Sequence, residues 1–206
     1  MVYSLPVRGV FETNCFFDMD DRTNHGFLID PGAEGEKLVR LILERNWSIE
    51  AILLTHGHFD HFGGVAALQD ALNLPVLIHE EGQAYLEGPE LNLSRFYGGD
   101  LTVENAVFFR DGDVLSLREG NLSLRVLHTP GHTNDSCVLY DTPSGTAFVG
   151  DTIFRNGMGN PNYPTGNQKR LLHSIRNVIM DLPEDTVLLS GHSAPTTVGR
   201  ERRHYA

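Results

Sequence analysis

The side chains best suited to chemistry lie in the segment THGHFDHFGG, which spans residues 55–64. It brings three imidazoles and a carboxylate within six positions, and these groups are typical ligands of zinc, iron and manganese. Four ligands from one short segment are too many for a single ion of ordinary geometry, so a pair of ions sharing the segment is the simpler interpretation. The four residues are His56, His58, Asp60 and His61.

Three later stretches share a design in which an apolar strand is followed by a glycine and then by one residue of a metal-binding type. They end in His132, Asp151 and His192. A lone histidine or a lone Gly-Asp turn is usually structural, whereas a metal site needs several ligands that converge. Because the design recurs at strand ends, as it does for the cluster that follows AILLT, we expect all seven residues to form one site.

Strands must carry these residues to one place, and short apolar runs predict where the strands lie. The absence of internal repeats and of a linker rich in Pro, Gly or Ser favours one domain over residues 1–206. We expect strands over 14–19, 25–30, 51–55, 75–79, 111–117, 122–129, 136–140, 146–150 and 186–190.

Apolar residues at helical spacing predict helices between those strands. Strands with helices between them indicate sheet layers covered by helices. Residues 82–110 have the character of an irregular loop or lid, while Asp111-Gly112 and Ser144-Gly145 are expected to form hairpin turns. The helices are expected over 34–46, over 65–72, over 168–180 and in the tail that starts at Pro195.

Composition narrows the classes of function. Hydrophobic residues make up 40% of the chain, enough for a sizeable core, and no apolar run approaches the roughly 18 residues of a membrane span. The formal net charge of −11 disfavours nucleic acid and anionic membranes as partners. No secretory signal is visible, and Cys15 and Cys137 are expected to be small buried hydrophobes. We therefore expect a soluble cytoplasmic protein acting on a small anionic molecule, because two divalent ions would make the pocket locally positive.

The residues and motifs together resemble the metallo-β-lactamase-fold hydrolase superfamily, and within it the compact glyoxalase II-like members. The H-x-H-x-D-H cluster carries the resemblance, supported by NCFF, LIDPG, TPGHT, GDTIF and GHS. It implies a fold of the α/β (α+β) class, a four-layer αββα sandwich with the metals at one edge between the two sheets.

The resemblance also implies two divalent ions and assigns their ligands. Zinc is the expected metal, and iron or manganese is compatible with imidazole and carboxylate donors. In that assignment His56, His58 and His132 hold the first ion, Asp60, His61 and His192 hold the second, and Asp151 bridges both.

The activity so implied is that of a binuclear hydrolase, which cleaves a small thioester or ester as a hydroxyacylglutathione hydrolase does. A hydroxide shared by two ions has a pKa far below that of bulk water and would be the nucleophile. Asp60 would orient it, while the ions polarise the carbonyl oxygen and hold the leaving group. Asp30 resembles the family aspartate that accepts a hydrogen bond from a metal-bound histidine and fixes its tautomer.

Residues 155–167 depart from the family pattern. Many glyoxalase II-like members carry a Gly-Arg-x-Asp element in this part of the pocket wall, where this chain reads GNPNYP. The fourteen residues after His192 are also too few for the C-terminal helical domain with which glyoxalase II proper binds glutathione. Four other residues could contact the substrate: Tyr97 and Tyr163 as proton donors, and Lys169 and Arg170 as partners of a carboxylate.

Two other activities fit the same residues. A lactonase would use the same hydroxide on a cyclic ester. A persulfide dioxygenase of this fold holds one iron, for which His56, His58, His132 and Asp151 are the available ligands. Hydrolysis of β-lactams is disfavoured, because such an enzyme usually needs export and no signal is visible.

Overall fold

The computed structural model describes residues 1–97 and 99–205. Within them the apolar runs of the sequence form strands, most of them short. In chain order the strands are β1 (Val2–Arg8), β2 (Glu12–Met19), β3 (His25–Ile29), β4 (Ser48–Leu53), β5 (Val76–His79), β6 (Val107–Phe109), β7 (Val114–Ser116), β8 (Ser123–His128), β9 (Cys137–Asp141), β10 (Thr146–Gly150), β11 (Ile153–Phe154), β12 (Gly157–Met158), β13 (Val187–Ser190) and β14 (Thr196–Thr197).

The helices lie between these strands. A 3₁₀ turn over Glu80–Gly82 precedes α4, and a π-helical turn over Ile175–Ile179 continues α6. None of the helices in the described part of the chain has the length and apolar character needed to cross a bilayer. They are α1 (Gly35–Arg45), α2 (Phe59–Phe62), α3 (Val65–Leu72), α4 (Gln83–Glu87), α5 (Ser94–Tyr97), α6 (Gln168–Ser174) and α7 (Val198–Tyr205).

The strands form two six-stranded mixed sheets and a small hairpin. The first sheet has the order β1-β2-β3-β4-β5-β6, antiparallel up to β3 and parallel from there on. The second has the order β14-β13-β10-β9-β8-β7, and only its β10–β13 pair is parallel. Strands β11 and β12, which follow β10 in the chain, pair with each other.

Successive residues of the central strands enter different hydrophobic cores, because strand side chains point to alternate faces. Phe16 and Leu139 belong to the core between the sheets. Phe17 packs in the core that also holds Leu38 of α1, and Val138 packs in the core that holds Leu171 of α6. The order of layers is therefore helix, sheet, sheet, helix, which confirms the predicted αββα sandwich.

Two details of the predicted elements are wrong. Residues 82–110 are not irregular throughout, since they contain α4, α5 and β6. Asp111-Gly112 is a turn, with Gly112 at φ +84°, but it leads from β6 of the first sheet to β7 of the second and so closes no hairpin. Ser144-Gly145 does join a hairpin, that of β9 and β10.

Four of the strands end at the same edge of the sandwich. Strand β4 comes from the first sheet, and β8, β10 and β13 come from the second. Backbone hydrogen bonds tie the sheets together there: the Asn14 N–H donates to the Gly191 carbonyl at 2.7 Å, and the Cys137 N–H donates to the Thr55 carbonyl at 2.9 Å. This edge is where the segments carrying the seven predicted ligands begin.

Candidate metal centre

Three histidines form the first ligand group, which we call the imidazole group (His56, His58 and His132). Their ligand nitrogens all lie within 4.8 Å of one another. Nδ1 of His58 is 3.2 Å from Nε2 of His56 and 3.0 Å from Nε2 of His132. All three rings are buried.

Hydrogen bonds on the far side of the rings fix which nitrogens can bind a metal. Nδ1 of His132 donates to the Asn160 carbonyl at 2.9 Å. Nδ1 of His56 lies 3.2 Å from the Thr55 hydroxyl, whose own proton goes to Asp30. With Nδ1 carrying the proton, Nε2 of each neutral ring presents its lone pair inward. Two lone pairs directed at one buried point favour a cation there.

A carboxylate and two histidines form the second ligand group, which we call the mixed group (Asp60, His61 and His192). Their ligand atoms also lie within 4.8 Å of one another, and Nε2 of His192 is 3.1 Å from Oδ2 of Asp60. Nδ1 of His192 donates to the Glu12 carbonyl at 2.9 Å. The His192 side chain is 25% exposed, whereas the His61 side chain is 0% exposed, so the mixed group faces solvent on one side.

Asp30 holds His61 in place. Its Oδ2 accepts a hydrogen bond from Nδ1 of His61 at 2.9 Å, and the Thr55 N–H and hydroxyl donate to its two oxygens at 2.8 and 2.7 Å. Asp30 has a left-handed backbone, with φ +50°, which few non-glycine residues adopt without support from their surroundings. The expected contact between this aspartate and a ligand histidine is present, and His61 is the donor.

Asp151 lies between the two groups. Its Oδ1 is 3.5 Å from Nε2 of His61, and its Oδ2 is 3.7 Å from Nε2 of His132 and 3.4 Å from Nε2 of His192. Oδ1 of Asp151 and Nε2 of His61 are buried without a hydrogen-bond partner among the described residues. Buried polar atoms rarely lack a partner, and these two face each other across a gap that a cation fits.

The electrostatics of the imidazole group favour neutral rings. Burial, together with the neighbouring imidazoles, lowers the pKa of His58 to about 3. The same causes hold the pKa of His56 well below its usual value, and burial lowers the pKa of His132. Because a metal binds the neutral imidazole, this group needs to release no proton at neutral pH before it takes an ion.

The mixed group behaves in the opposite way. Burial alone would lower the pKa of His61, but the charges of Asp30 and Asp151 outweigh it and hold that pKa well above the usual value. The pKa of His192 is raised likewise, because its hydrogen bond to Asp60 and the charge of Asp151 outweigh burial. These carboxylates therefore retain positive charge on the rings, a charge that a metal ion would otherwise supply.

The donor set fits divalent metals. Each group offers three nitrogen or oxygen donors within one small volume, and imidazole with carboxylate suits zinc, iron and manganese. Cys15 and Cys137 are free and buried, and burial raises the pKa of each thiol well above its usual value, so neither is a thiolate donor.

Two glycines allow the close approach of the strand ends. A Cβ on Gly159 would lie 1.9 Å from the Asp151 carbonyl oxygen, and one on Gly191 would lie 2.6 Å from Oδ1 of Asp151. Both positions exclude any side chain. Gly159 begins GNPNYP, so this segment is shaped to pass directly over Asp151 and to bring the Asn160 carbonyl to His132.

A cavity of about 210 Å³ opens over the ligands. Tyr163 lines it, and its ring lies 5.5 Å from that of His58. Tyr97 stands at the rim, where it stacks on Phe59. Besides five of the seven ligands, the lining residues are Phe11, Phe59, Leu93, Phe154, Asn160 and Tyr163.

Lys169 and Arg170 lie elsewhere, which corrects their expected place beside the substrate. They line a separate groove with His128 and His173, and the Arg170 guanidinium donates to the side chain of Asn134 at 2.9 Å. Proximity in sequence to GNPNYP therefore does not place them in the lining of the cavity.

Sequence reasoning missed several residues that shape the site. The Asn160 and Glu12 carbonyls anchor His132 and His192, and a backbone acceptor leaves no trace in side-chain type. Phe59 could have been identified from the sequence, because it lies inside the ligand segment. Its apolar ring next to Asp60 indicates an apolar side of the pocket. Phe11 and Phe154 carry no comparable signal.

Comparison with known proteins agrees with this geometry. Residues 8–192 match the family model of the metallo-beta-lactamase superfamily. The hydroxyacylglutathione hydrolase GloC of Haemophilus influenzae is 31% identical over 94% of this chain and 91% of its own length.

Solved structures give the same result. The BLEG-1 B3 metallo-beta-lactamase superposes with a TM-score of 0.92 at 34% identity, covering 100% of this chain and 98% of that one. TTHA1623, solved in a di-iron-bound form, gives a TM-score of 0.85 at 32% identity, covering 98% and 97%. The predicted family is thereby confirmed: this chain belongs to the metallo-beta-lactamase superfamily, whose fold binds divalent metals.

Proposed function

We propose that the protein is a cytoplasmic, binuclear metal-dependent hydrolase that cleaves a small thioester or ester. The observation that carries the proposal is the position of Asp151, whose two oxygens face both ligand groups. A carboxylate so placed can serve two ions at once, with the imidazole group holding the first and the mixed group holding the second.

Bound divalent ions would lower the pKa of water to near neutrality and polarise the carbonyl of the substrate. The remaining work belongs to the chain. Asp60 lines the cavity and stands 3.1 Å from Nε2 of His192, so it is placed to orient the attacking water by accepting its hydrogen bond. Asp30 and the Asn160 carbonyl keep His61 and His132 in the tautomers that face inward.

Tyr163 is the proton donor best placed for the leaving group. Its ring lines the cavity beside His58 and His132, at 5.5 and 6.0 Å between ring centroids. Lys169 and Arg170 are given no part here, because they line another groove.

Two relatives support the choice of substrate and metal. A hydroxyacylglutathione hydrolase is 31% identical to this chain, which favours a thioester. Zinc is the proposed metal, and the di-iron-bound form of TTHA1623 makes iron the alternative.

A panel of substrates assayed side by side tests the proposal. Purified protein, loaded in turn with zinc, iron or manganese, is given acyl thioesters, aryl esters, lactones, a β-lactam, and a persulfide with oxygen uptake recorded. We expect thioesters or esters to be hydrolysed with two ions bound per chain. Hydrolysis of lactones or of the β-lactam alone would overturn the substrate class, and oxygen uptake with one iron per chain would overturn the hydrolase.

A further inference from the structure

Three aromatic rings pack together at the cavity, and we call them the aromatic wall (Phe11, Phe59 and Tyr97). Phe11 and Phe59 line the cavity, and Tyr97 packs against both. Phe59 and Tyr97 are stacked, with 5.5 Å between ring centroids and 16° between planes. Phe11 meets Tyr97 edge-on at 5.2 Å and lies 6.0 Å from Phe59. The wall therefore joins the turn before β2, the ligand segment and helix α5 into one continuous apolar surface.

The outer part of the aromatic wall is open to solvent. Phe59 is 7% exposed, while Phe11 and Tyr97 are each 40% exposed. Phe59 stands beside the ligand Asp60 in the chain, so the surface runs from solvent directly to the metal centre. Exposed apolar surface that is continuous with a cavity of this kind is a common mark of a ligand site.

Two further aromatic rings line the cavity. Phe154 and Tyr163 stand edge-on to His192 and His58, at 6.2 and 5.5 Å between ring centroids. A substrate whose carbonyl lies at the ligands would thus meet aromatic rings beyond those of the aromatic wall.

The arginines next to the aromatic wall in sequence are both paired with carboxylates. None of the residues that line the cavity is Lys or Arg. Arg95, on the same short helix as Tyr97, donates to both oxygens of Asp100 at 3.0 Å and to Glu90 at 2.7 Å. Arg8, three residues from Phe11, pairs with Glu12 at 2.9 Å. A carboxylate-rich substrate group would meet no unpaired positive charge among the described residues of this wall.

The cavity is also small. Its volume of about 210 Å³ lies below the roughly 300–1,000 Å³ typical of sites for drug-sized ligands. A short acyl group fits this space, while the thiol of a thioester could extend from the open mouth into solvent.

We propose that the aromatic wall is a binding site for an apolar acyl group, of the size of a phenylacetyl or short fatty acyl chain. This inference rests on the proposed hydrolase, whose substrate class it narrows. It also departs from the anionic substrate expected from sequence, because the positive charge of bound metals is confined to the ligands and the wall offers apolar contact instead.

A matched series of thioesters tests the inference. All members share one uncharged thiol, N-acetylcysteamine, and differ in the acyl group: acetyl, butanoyl, hexanoyl, phenylacetyl and the anionic succinyl. We expect kcat/KM to rise about threefold for each buried methylene and to be at least about tenfold higher for phenylacetyl than for succinyl. A preference for succinyl, or equal rates along the series, would overturn the inference.

Variants link the preference to the wall. Phe11→Ala and Tyr97→Ala should lower the ratio of kcat/KM for phenylacetyl over acetyl by about tenfold, as expected when an apolar contact is removed from a specificity pocket. Phe96→Ala is the matched control: Phe96 is 67% exposed, whereas Tyr97 contacts the rings of Phe11 and Phe59. A ratio that is unchanged in both wall variants, or lowered equally in Phe96→Ala, would contradict the assignment.

Binding of product carboxylates separates this inference from the proposed function. Calorimetry with zinc-loaded protein should show that phenylacetate binds at least about tenfold more tightly than succinate, and that Phe11→Ala abolishes the difference. This result would support the aromatic wall as a binding site for an apolar acyl group even if no thioester or ester were hydrolysed. Tighter binding of succinate, or a dimer that dissociates in Phe11→Ala and so assigns the wall to a second copy of the chain, would overturn it.

Discussion

The imidazole group and the mixed group are built from neighbouring residues of one segment, yet they hold charge in opposite ways. Around His58 burial and the neighbouring imidazoles outweigh the charges of Asp60 and Asp151, so the pKa falls, as it does at His56. Around His61 the neighbouring groups include Asp30 and Asp151, so the pKa rises despite full burial. Without a metal, the imidazole rings of the first group are therefore neutral, whereas His61 in the second group holds a proton that an entering ion must displace.

This difference implies an order of metal binding. An ion entering the imidazole group displaces no proton at neutral pH, whereas an ion entering the mixed group must displace one from His61 or His192. The mixed group is also the more open one, because the His192 side chain is 25% exposed. We therefore expect the imidazole group to fill first and the mixed group to fill with stronger dependence on pH.

Removal of Asp151 should have the largest effect on metal content and activity, because both ligand groups share this carboxylate. Asp151→Ala takes a carboxylate from both, so metal content and activity should fall together, activity on the order of a thousandfold. Elemental analysis and steady-state kinetics measure the two. The exposed Asp70 provides the control in Asp70→Ala, and full metal content with full rate in Asp151→Ala would refute the binuclear site.

Removal of one ligand from each group should separate them. His58→Ala should abolish binding of the tighter ion, while His192→Ala should leave one ion per chain and reduce activity by about a hundredfold, because a ligand that others can partly replace has been lost. Metal stoichiometry after gel filtration distinguishes the two variants. Equal loss of both ions in both variants would show that the groups do not fill independently.

Lowering the pH should release the ion of the mixed group before the ion of the imidazole group. The raised pKa values of His61 and His192 mean that protons compete with the ion of the mixed group, so its affinity falls as pH falls below those values. The lowered pKa values of the imidazole group keep its rings neutral over the same range. Equilibrium dialysis from about pH 8 to about pH 5.5 should show one ion leaving well before the other, with release of protons on reloading at neutral pH.

A matched experiment on His192→Ala checks this assignment. That variant should lack the ion that leaves at the higher pH and should retain the ion that leaves at the lower pH. If wild-type protein lost both ions in one step, the pKa contrast between the groups would have no bearing on metal binding.

Much of this centre could be predicted because its ligands are encoded locally. His56, His58, Asp60 and His61 stand in one segment, and each remaining ligand follows a glycine at a strand end, so residue type and spacing are sufficient to identify them. The αββα layers follow from alternating apolar runs such as that around Phe16 and Phe17, whose neighbours enter different cores.

The remaining features depend on contacts between distant segments. The Glu12 carbonyl reaches His192 across 180 positions, and Phe11 meets Tyr97 only because the turn before β2 and helix α5 fold to the same side of the cavity. Lys169 and Arg170, at the start of α6, are suited by charge to pair with a substrate carboxylate, but the fold places them in another groove, which residue type and spacing do not encode.

Asp18, a buried carboxyl group on strand β2, differs from Asp151 in how burial and neighbouring charges set its pKa. Its substitution has the smallest predicted effect on metal content and activity. Asp18 is 1% exposed, and both of its carboxylate oxygens lack partners among the described residues. Burial first, and then the charge of Asp141, raises its pKa to about 7. Burial also opposes the charge of Asp151, but neighbouring His61, His192 and His132 more than compensate and hold that pKa below its usual value.

Asp18→Asn should therefore stabilise the protein, and more so at higher pH. A carboxyl whose pKa is raised on folding contributes stability below its unfolded value, near 4, and that contribution is lost as pH rises through about 7. The amide cannot ionise, so the variant should gain on the order of 4 kcal/mol over wild type in urea unfolding at about pH 8.5, and about a third of that at about pH 5. Asp21→Asn, at an exposed neighbour, should show no such difference. An equal change at both pH values would mean that the pKa of Asp18 is not raised on folding.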